Sequence, residues 1–281
     1  MSPEAAPAVL RPARQPLPWD EYLLRGLFGG ELVLVVLVPL LALSALSLNG
    51  GVTGFVRAIV APTALRALWL TLWTSLCAAT INALLGTMLA WVLTRYRFFG
   101  RGLLAKVIDL PFSLPTLVAG VMIVALLGPQ SWLGSVLTAM GMPIAYAAPG
   151  ILIALLFVTL PIVVRAVEPV LLALDPAEEE AAAMLGASRL QTFRRVIFPS
   201  IRGAVLTGSI QTLARALAEF GAIVVVSGNI AGQTLMAPVY IYGEVEGGEL
   251  GAASAVSTLL LLLAVVLLLL RKSLDTRVRR V

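Results

Sequence analysis

An all-α integral membrane protein with about six transmembrane helices is predicted by three features: an apolar composition, the length of the apolar runs, and the distribution of arginines. Hydrophobic residues make up 59% of the 281 residues and charged residues only 12%, with a mean hydropathy of +0.98. A soluble fold of this size has too little interior to hide so much apolar surface, so lipid is the solvent for most of the chain. Within lipid every backbone polar group needs an internal partner, which makes each apolar run a helix.

Runs of about 20 residues, enough to cross the hydrocarbon core, are Leu27–Ser47, Leu68–Leu93, Val107–Leu127, Pro149–Leu172, Gly203–Val226 and Ala252–Leu270. Six crossings return the chain to the side it left. Arg11, Arg14 and Arg25 precede the first run, and Arg95, Arg97, Arg101 and Lys106 follow the second. Arg189, Arg194, Arg195 and Arg202 follow the fourth, and Arg271, Lys272, Arg277, Arg279 and Arg280 follow the sixth. The opposite loops hold only Arg57 and Arg66 and end on Glu244, Glu246 and Glu249. Short loops rich in Lys and Arg stay in the cytoplasm, so both termini and residues 175–199 are expected there. Residues 1–22, rich in Pro and Ala, read as a disordered cytoplasmic tail, 23–272 as one transmembrane domain, and 273–281 as a second tail.

The same charges explain a pI of 9.9 and a net charge of +5 without nucleic acid as a partner. The chain has no histidine, which excludes Ser-His triads, imidazole relays and His-based metal sites. Its one cysteine, Cys77, lies inside an apolar run and cannot form an intrachain disulfide. No GxxxxGK[ST] loop is present to cradle phosphates, so a nucleotide would have to be bound by another subunit. An intramembrane protease or lipid transferase needs a nucleophile with a base, or acidic metal ligands, at membrane depth, and few carboxylates lie there. A channel or ion-driven carrier needs no extramembrane docking element.

Asp175–Pro199 is a polar island between two apolar runs, DPAEEEAAAMLGASRLQTFRRVIFP. Asp175 suits an N-cap, Pro176 the first helical position and Glu178 a capping box. Gly186 breaks that helix, Ser188 and Gln191 offer a second capping box, and Pro199 is expected to end the second helix. Leu190, Phe193 and Ile197 recur at helical spacing. That stripe suits a helix laid in a partner's groove, or a loop packed back on its own bundle.

Arg215 and Glu219 lie at i, i+4 inside the fifth run, where each neutralises the other. Two readings stand: an arginine that attracts a passing anion, or a pair that locks the span against a neighbour. Glu31 and Arg165 read as an interfacial charge and a snorkelling side chain. Pro111 and Pro115 fall in the first turns of the third span and Pro161 well inside the fourth. Each removes a backbone donor and either shapes packing or lines a wet cavity with Ser113, Thr116 and Thr159 nearby. Ala214, Ala218 and Ala222 form a small-residue stripe for an intersubunit seam or for bundle packing.

Glu180-Ala181-Ala182, Gly186 and Val196-Ile197-Phe198-Pro199 resemble the EAA motif of binding-protein-dependent ABC importer permeases, with Val196 and Phe198 as apolar departures. Asp109–Pro115, Leu160–Leu171 and Arg215–Ala222 with Gly228–Ile230 are similar to the T-type sulfate/thiosulfate permease subunits. Molybdate and tungstate permeases share similar segments. The resemblance implies a type I importer permease of MetI-like fold in the bacterial plasma membrane, not itself an enzyme. It implies Glu180, Ala181, Ala182, Gly186 and Pro199 as the coupling element for two ATPase subunits, which bind ATP and Mg. It implies as further partners a second permease subunit, a sulfate-binding protein outside the cell, and membrane lipid. Arg215, Glu219, Ser113 and Thr116 are the candidates for the translocation path, with no metal and no cofactor in the chain itself.

Overall fold

A computed structural model describes residues 19–278, and every described element is a helix. Of the tail expected over residues 1–22, residues 1–18 lie outside the described part, as do the last three residues of the chain, while residues 19–22 are helical. Two compact units divide the chain, Met1–Ala45 and Leu46–Val281. In the first lie α1 (Trp19–Leu32), a π-helical turn over Val33–Leu37, and most of α2 (Val38–Ser47). The π-turn ends two residues before Pro39. A wider i→i+5 turn gives the proline ring room and leaves no donor demanded of a residue without an N–H.

The second unit is a bundle: α3 (Gly51–Val60), α4 (Pro62–Arg95), α5 (Arg101–Ser113), α6 (Thr116–Leu127), α7 (Trp132–Ala139) and α8 (Ala148–Ala173) come first. There follow α9 (Pro176–Met184), α10 (Arg189–Thr192), a π-turn over Phe193–Ile197, α11 (Phe198–Leu217), α12 (Gly221–Val226), α13 (Ala237–Glu246) and α14 (Leu250–Val278).

Four stretches among the described residues are long and apolar enough to cross a bilayer: Arg25–Ser47, Pro62–Arg95, Ala148–Ala173 and Leu250–Ser273. The third predicted span is no straight helix. It bends by 113° between α5 and α6, and counts as a fifth crossing only if the bent pair is one span. Leu114 is extended, at φ −96° and ψ 136°, as a residue before proline tends to be, and Pro115 restarts the helix. The predicted span Gly203–Val226 is also interrupted, at Ala218–Phe220 between α11 and α12. At 20 residues α11 is long enough for a crossing, but Thr207, Gln211, Thr212 and Arg215 make it too polar to pass for one by composition. Pro161 and Pro169, by contrast, leave α8 unbroken. Neighbours hold it: the Asn82 amide donates to the Leu156 carbonyl (3.1 Å) and to Thr159 Oγ1 (2.9 Å) in the turn before Pro161. Thr159 is therefore a buried clamp between α4 and α8, not a cavity hydroxyl.

The core forms where α4 and α11 close on α8. Ala90, Leu93, Val163, Val164, Val167, Leu171, Ile197 and Ile201 make one buried cluster, and Ile151, Leu155, Val158, Ile223, Val226 and Met236 belong to another. Glycines allow the approach on both sides of Val163. A Cβ on Gly86 would lie 2.7 Å from Val163 Cβ, and one on Gly208 3.2 Å from Val163 Cα. Without a hydrophobic drive between helices in lipid, such contacts supply the packing energy. Gly86→Val is expected to cost about 1–3 kcal/mol through overpacking, read as a lower unfolding temperature of the protein in detergent micelles.

Candidate functional site

The island after α8 folds as a bent pair of helices. Asp175 caps α9 alone, its Oδ1 accepting the Ala177 N–H at 2.9 Å, while the Glu178 N–H goes to the Asp175 carbonyl at 3.1 Å. The expected Asp175–Glu178 capping box is thus not formed. Gly186, at φ +79°, closes the helix: its N–H bonds the Ala183 carbonyl at 2.9 Å and the Ala187 N–H bonds that of Ala182 at 3.0 Å. This double bond across a left-handed residue is the Schellman closure that the glycine makes accessible. The second capping box does form, Ser188 N–H to Gln191 Oε1 at 2.8 Å and Gln191 N–H to Ser188 Oγ at 3.3 Å.

Pro199 does not end the second helix as expected. It sits in the first turn of α11, and the π-turn before it, with the Phe198 N–H reaching the Phe193 carbonyl, carries the helix through. The same device precedes Pro39, so proline two residues after a π-turn recurs in this chain.

The Leu190–Phe193–Ile197 stripe divides. Ile197 is buried in the core, and the Phe193 ring lies 5.1 Å from that of Trp91, so these two fasten the elbow to its own bundle. Leu190 stays outside. Met184 and Leu185, before Gly186, are exposed as well, at 89% and 88%, and periodicity did not mark them. Glu180 and Ala181 are also exposed and Ala182 is half-buried. Glu179, not singled out from sequence, ties α9 to the last turn of α4 through Arg95 (Nε to Oε1, 2.7 Å).

The intramembrane pair is formed, Arg215 Nη1 to Glu219 Oε2 at 2.6 Å. Its two members sit very differently: the Glu219 side chain is 1% exposed and that of Arg215 42%. Glu219 Oε1 also accepts the Ala222 N–H at 3.0 Å, so the carboxylate spans the break between α11 and α12 and caps the second piece. Because the helix breaks there, the alanine stripe does not run on. Ala214 and Ala218 line a cavity of about 860 Å³ beside α11, whereas Ala222 is buried against Gly120 of α6.

Thr116 opens α6 with Oγ1 pressed on Gly221, where a Cβ would be only 2.2 Å away, and Ser113 ends α5 exposed. Neither lines the cavity with Arg215. Arg165 does, and it is no free snorkelling side chain. It holds Asp109 by two bonds, one from Nε at 2.8 Å, and Glu168 at 2.5 Å. Among the described residues no group of His, Cys, Asp and Glu is placed to bind a metal ion.

Residues 82–280, which include the elbow, the broken helices and the cavity, match the family described as "Binding-protein-dependent transport system inner membrane component". The chain belongs to that family of ABC transporter permease subunits. Both sulfate types are among the relatives of this permease. It is 43% identical over 257 residues to the sulfate transport system permease protein CysW of a Synechocystis strain, covering 92% of this chain and 93% of the relative. It is 41% identical over 224 residues to a probable sulfate transport system permease protein cysT of Nephroselmis olivacea, covering 80% and 79%. A crystal structure of a bacterial alginate ABC transporter superposes on the permease with a TM-score of 0.76 at 18% identity, over 92% of this chain and 95% of that one. A MetNI methionine ABC transporter does so at 0.52 and 20%, covering 77% and 94%. The fold is therefore that of MetI-like importer permeases, and the protein is a multi-pass membrane protein.

Proposed function

We propose that this chain is a permease subunit of an ATP-driven importer that carries sulfate or thiosulfate across the bacterial plasma membrane. The observation that carries the reading is the match to sulfate permeases at 41% and 43% identity over most of the chain. In this reading the termini and residues 175–199 face the cytoplasm, where the arginine-rich loops belong. Met184, Leu185 and Leu190, with Glu180 beside them, seat the elbow in a cleft of a separate ATPase subunit, which binds MgATP. The chain itself catalyses no reaction and holds no cofactor. Relatives of two sulfate types favour a pair of unlike permeases, with a binding protein delivering the anion from outside.

Mechanically, a docked elbow transmits motion because it is fastened at both ends. Arg95–Glu179 and Trp91–Phe193 join it to α4, and the continuous α10–α11 path joins it to the helix that carries Arg215. A partner that binds the elbow in both conformations shifts the permease only through its own closure. Arg215, held by Glu219, is the residue proposed to meet the anion, with Ser113 and Thr116 at the bend of the neighbouring span.

Reconstituting the complete complex in vesicles tests the reading. ATP-dependent uptake of radiolabelled sulfate, suppressed by excess thiosulfate and not by excess molybdate, is the expected result. Uptake of molybdate alone would overturn the substrate assignment, and co-purification of a single permease type would overturn the unlike pair.

A further inference from the structure

Arg66 is a charge that neither the elbow nor the cavity beside α11 uses. It stands in the second turn of α4, and the rise per residue puts it about 44 Å from Arg95, where the elbow is fastened. Leu65, Arg66, Trp69 and Trp73 follow helical spacing and share one face, on which Trp69 and Trp73 are 67% and 55% exposed. The inward face of these turns is made of Ala64, Ala67, Thr71 and Ser75, all buried. Small residues turned inward and bulky ones outward suit a helix that faces lipid.

A loop closes this face into a groove of about 520 Å³, with Gly232, Gln233 and Leu235 as its second wall. The loop is firmly held. The Ile230 carbonyl accepts the N–H groups of Gln233, Thr234 and Leu235 at 3.1, 2.9 and 3.1 Å, and the Ala237 N–H donates to Thr71 Oγ1 of α4 at 2.8 Å. Gly232, at φ +76°, lets the arginine lie against its backbone, since a Cβ there would be 2.9 Å from Arg66 Nη1. Among the described residues Arg66 makes no ion pair. A guanidinium keeps its charge and five N–H donors at any working pH. At the edge of an apolar groove it calls for an anion that is itself anchored in lipid.

We propose that this groove binds the headgroup of an anionic phospholipid, such as phosphatidylglycerol, in the leaflet opposite the elbow. Arg66 takes two phosphate oxygens and Gln233 offers its amide to the glycerol hydroxyls. An acyl chain runs along the face past Trp69 and Trp73 toward Leu76, which is also exposed. Tryptophan suits this depth, where its amphipathic ring sits between headgroup and chain. A free oxyanion would meet the arginine but gain nothing from the apolar face, which favours lipid. The bound lipid would join α4 to the loop that precedes α13. This site uses none of the coupling residues and stands whatever anion the permease carries.

The test uses the complete complex in phosphatidylcholine bilayers. Traces of phosphatidylglycerol or phosphatidylcholine with a photoreactive acyl chain are added, and labelled peptides are mapped by mass spectrometry. Phosphatidylglycerol is expected to label residues 65–76 about fivefold more than phosphatidylcholine, the factor that one basic residue at a membrane surface supplies. Arg66→Gln should remove that preference and Arg66→Lys should keep most of it, with co-purification of the ATPase subunits verifying assembly. Excess glycerol 3-phosphate or sulfate should not compete. Equal labelling by the two lipids would overturn the proposal. Loss of the label to the soluble anions would overturn it too, assigning Arg66 to a free oxyanion. A photoreactive residue in place of Gln233 reports the remaining alternative. Its capture of a second permease or a binding protein, without lipid label on 65–76, would make the groove a protein interface and sink the lipid site. Should Arg66→Gln fail to assemble, the comparison of the two lipids on the unsubstituted complex decides alone.

Discussion

Gly186→Val is expected to lower ATP-driven sulfate uptake at least tenfold while leaving the protein in the membrane. A Cβ at this position meets nothing within 4 Å, so the damage does not come from a clash. It comes from the backbone. At φ +79° an L-residue pays roughly 1–2 kcal/mol and a β-branched one more. The relaxed alternative gives up the bonds from Gly186 and Ala187 to the Ala183 and Ala182 carbonyls. Met184 and Leu185 would then be turned relative to Leu190 on the other side of the elbow. Gly186→Asn, which tolerates the left-handed region, should keep most of the uptake. Vesicle uptake and co-purification of the ATPase subunits provide the measurement, and full activity of the valine variant would remove the elbow from the mechanism.

Arg215→Ala is expected to be the most destabilising change at the intramembrane pair, by about 3–5 kcal/mol, because it strands a buried carboxylate. Glu219 has almost no exposure and cannot turn to water without releasing the Ala222 N–H and with it the start of α12. The reverse change is milder. Glu219→Gln keeps an acceptor for that N–H and leaves a guanidinium that is already half in the cavity. Unfolding temperatures in detergent should fall by roughly 10 °C for Arg215→Ala, at a few degrees per kcal/mol, and by much less for Glu219→Gln. Combining the two should restore stability without restoring uptake. Equal losses from the two single substitutions would show that the asymmetry of burial has no energetic weight.

Much of the elbow was legible from residue types. Asp175, Gly186, Ser188 and Gln191 act through their own backbone neighbours, so local chemistry was enough to read the N-cap, the left-handed closure and the second capping box. Pro199 misled because the proline rule is local and the π-turn that rescues it is held by Phe193 and Ile197 packing on the bundle. The apolar stripe misled for a related reason. Helical spacing says that three side chains share a face, not whether that face meets a partner or Trp91.

Composition, run length and arginine placement by themselves determined an α-helical membrane protein, its approximate number of spans and a polar island bent at Gly186, because each depends on transfer energies and nearest neighbours. Only the tertiary structure decided that the third and fifth runs are broken while α8 passes two prolines intact, and that Arg165 is gripped by Asp109 and Glu168. It also decided that Arg215 faces a cavity with Glu219 buried behind it. Those outcomes turn on which distant residue arrives to accept or donate a bond, and on how closely Gly86 and Gly208 let neighbouring helices approach. No sequence window contains that information.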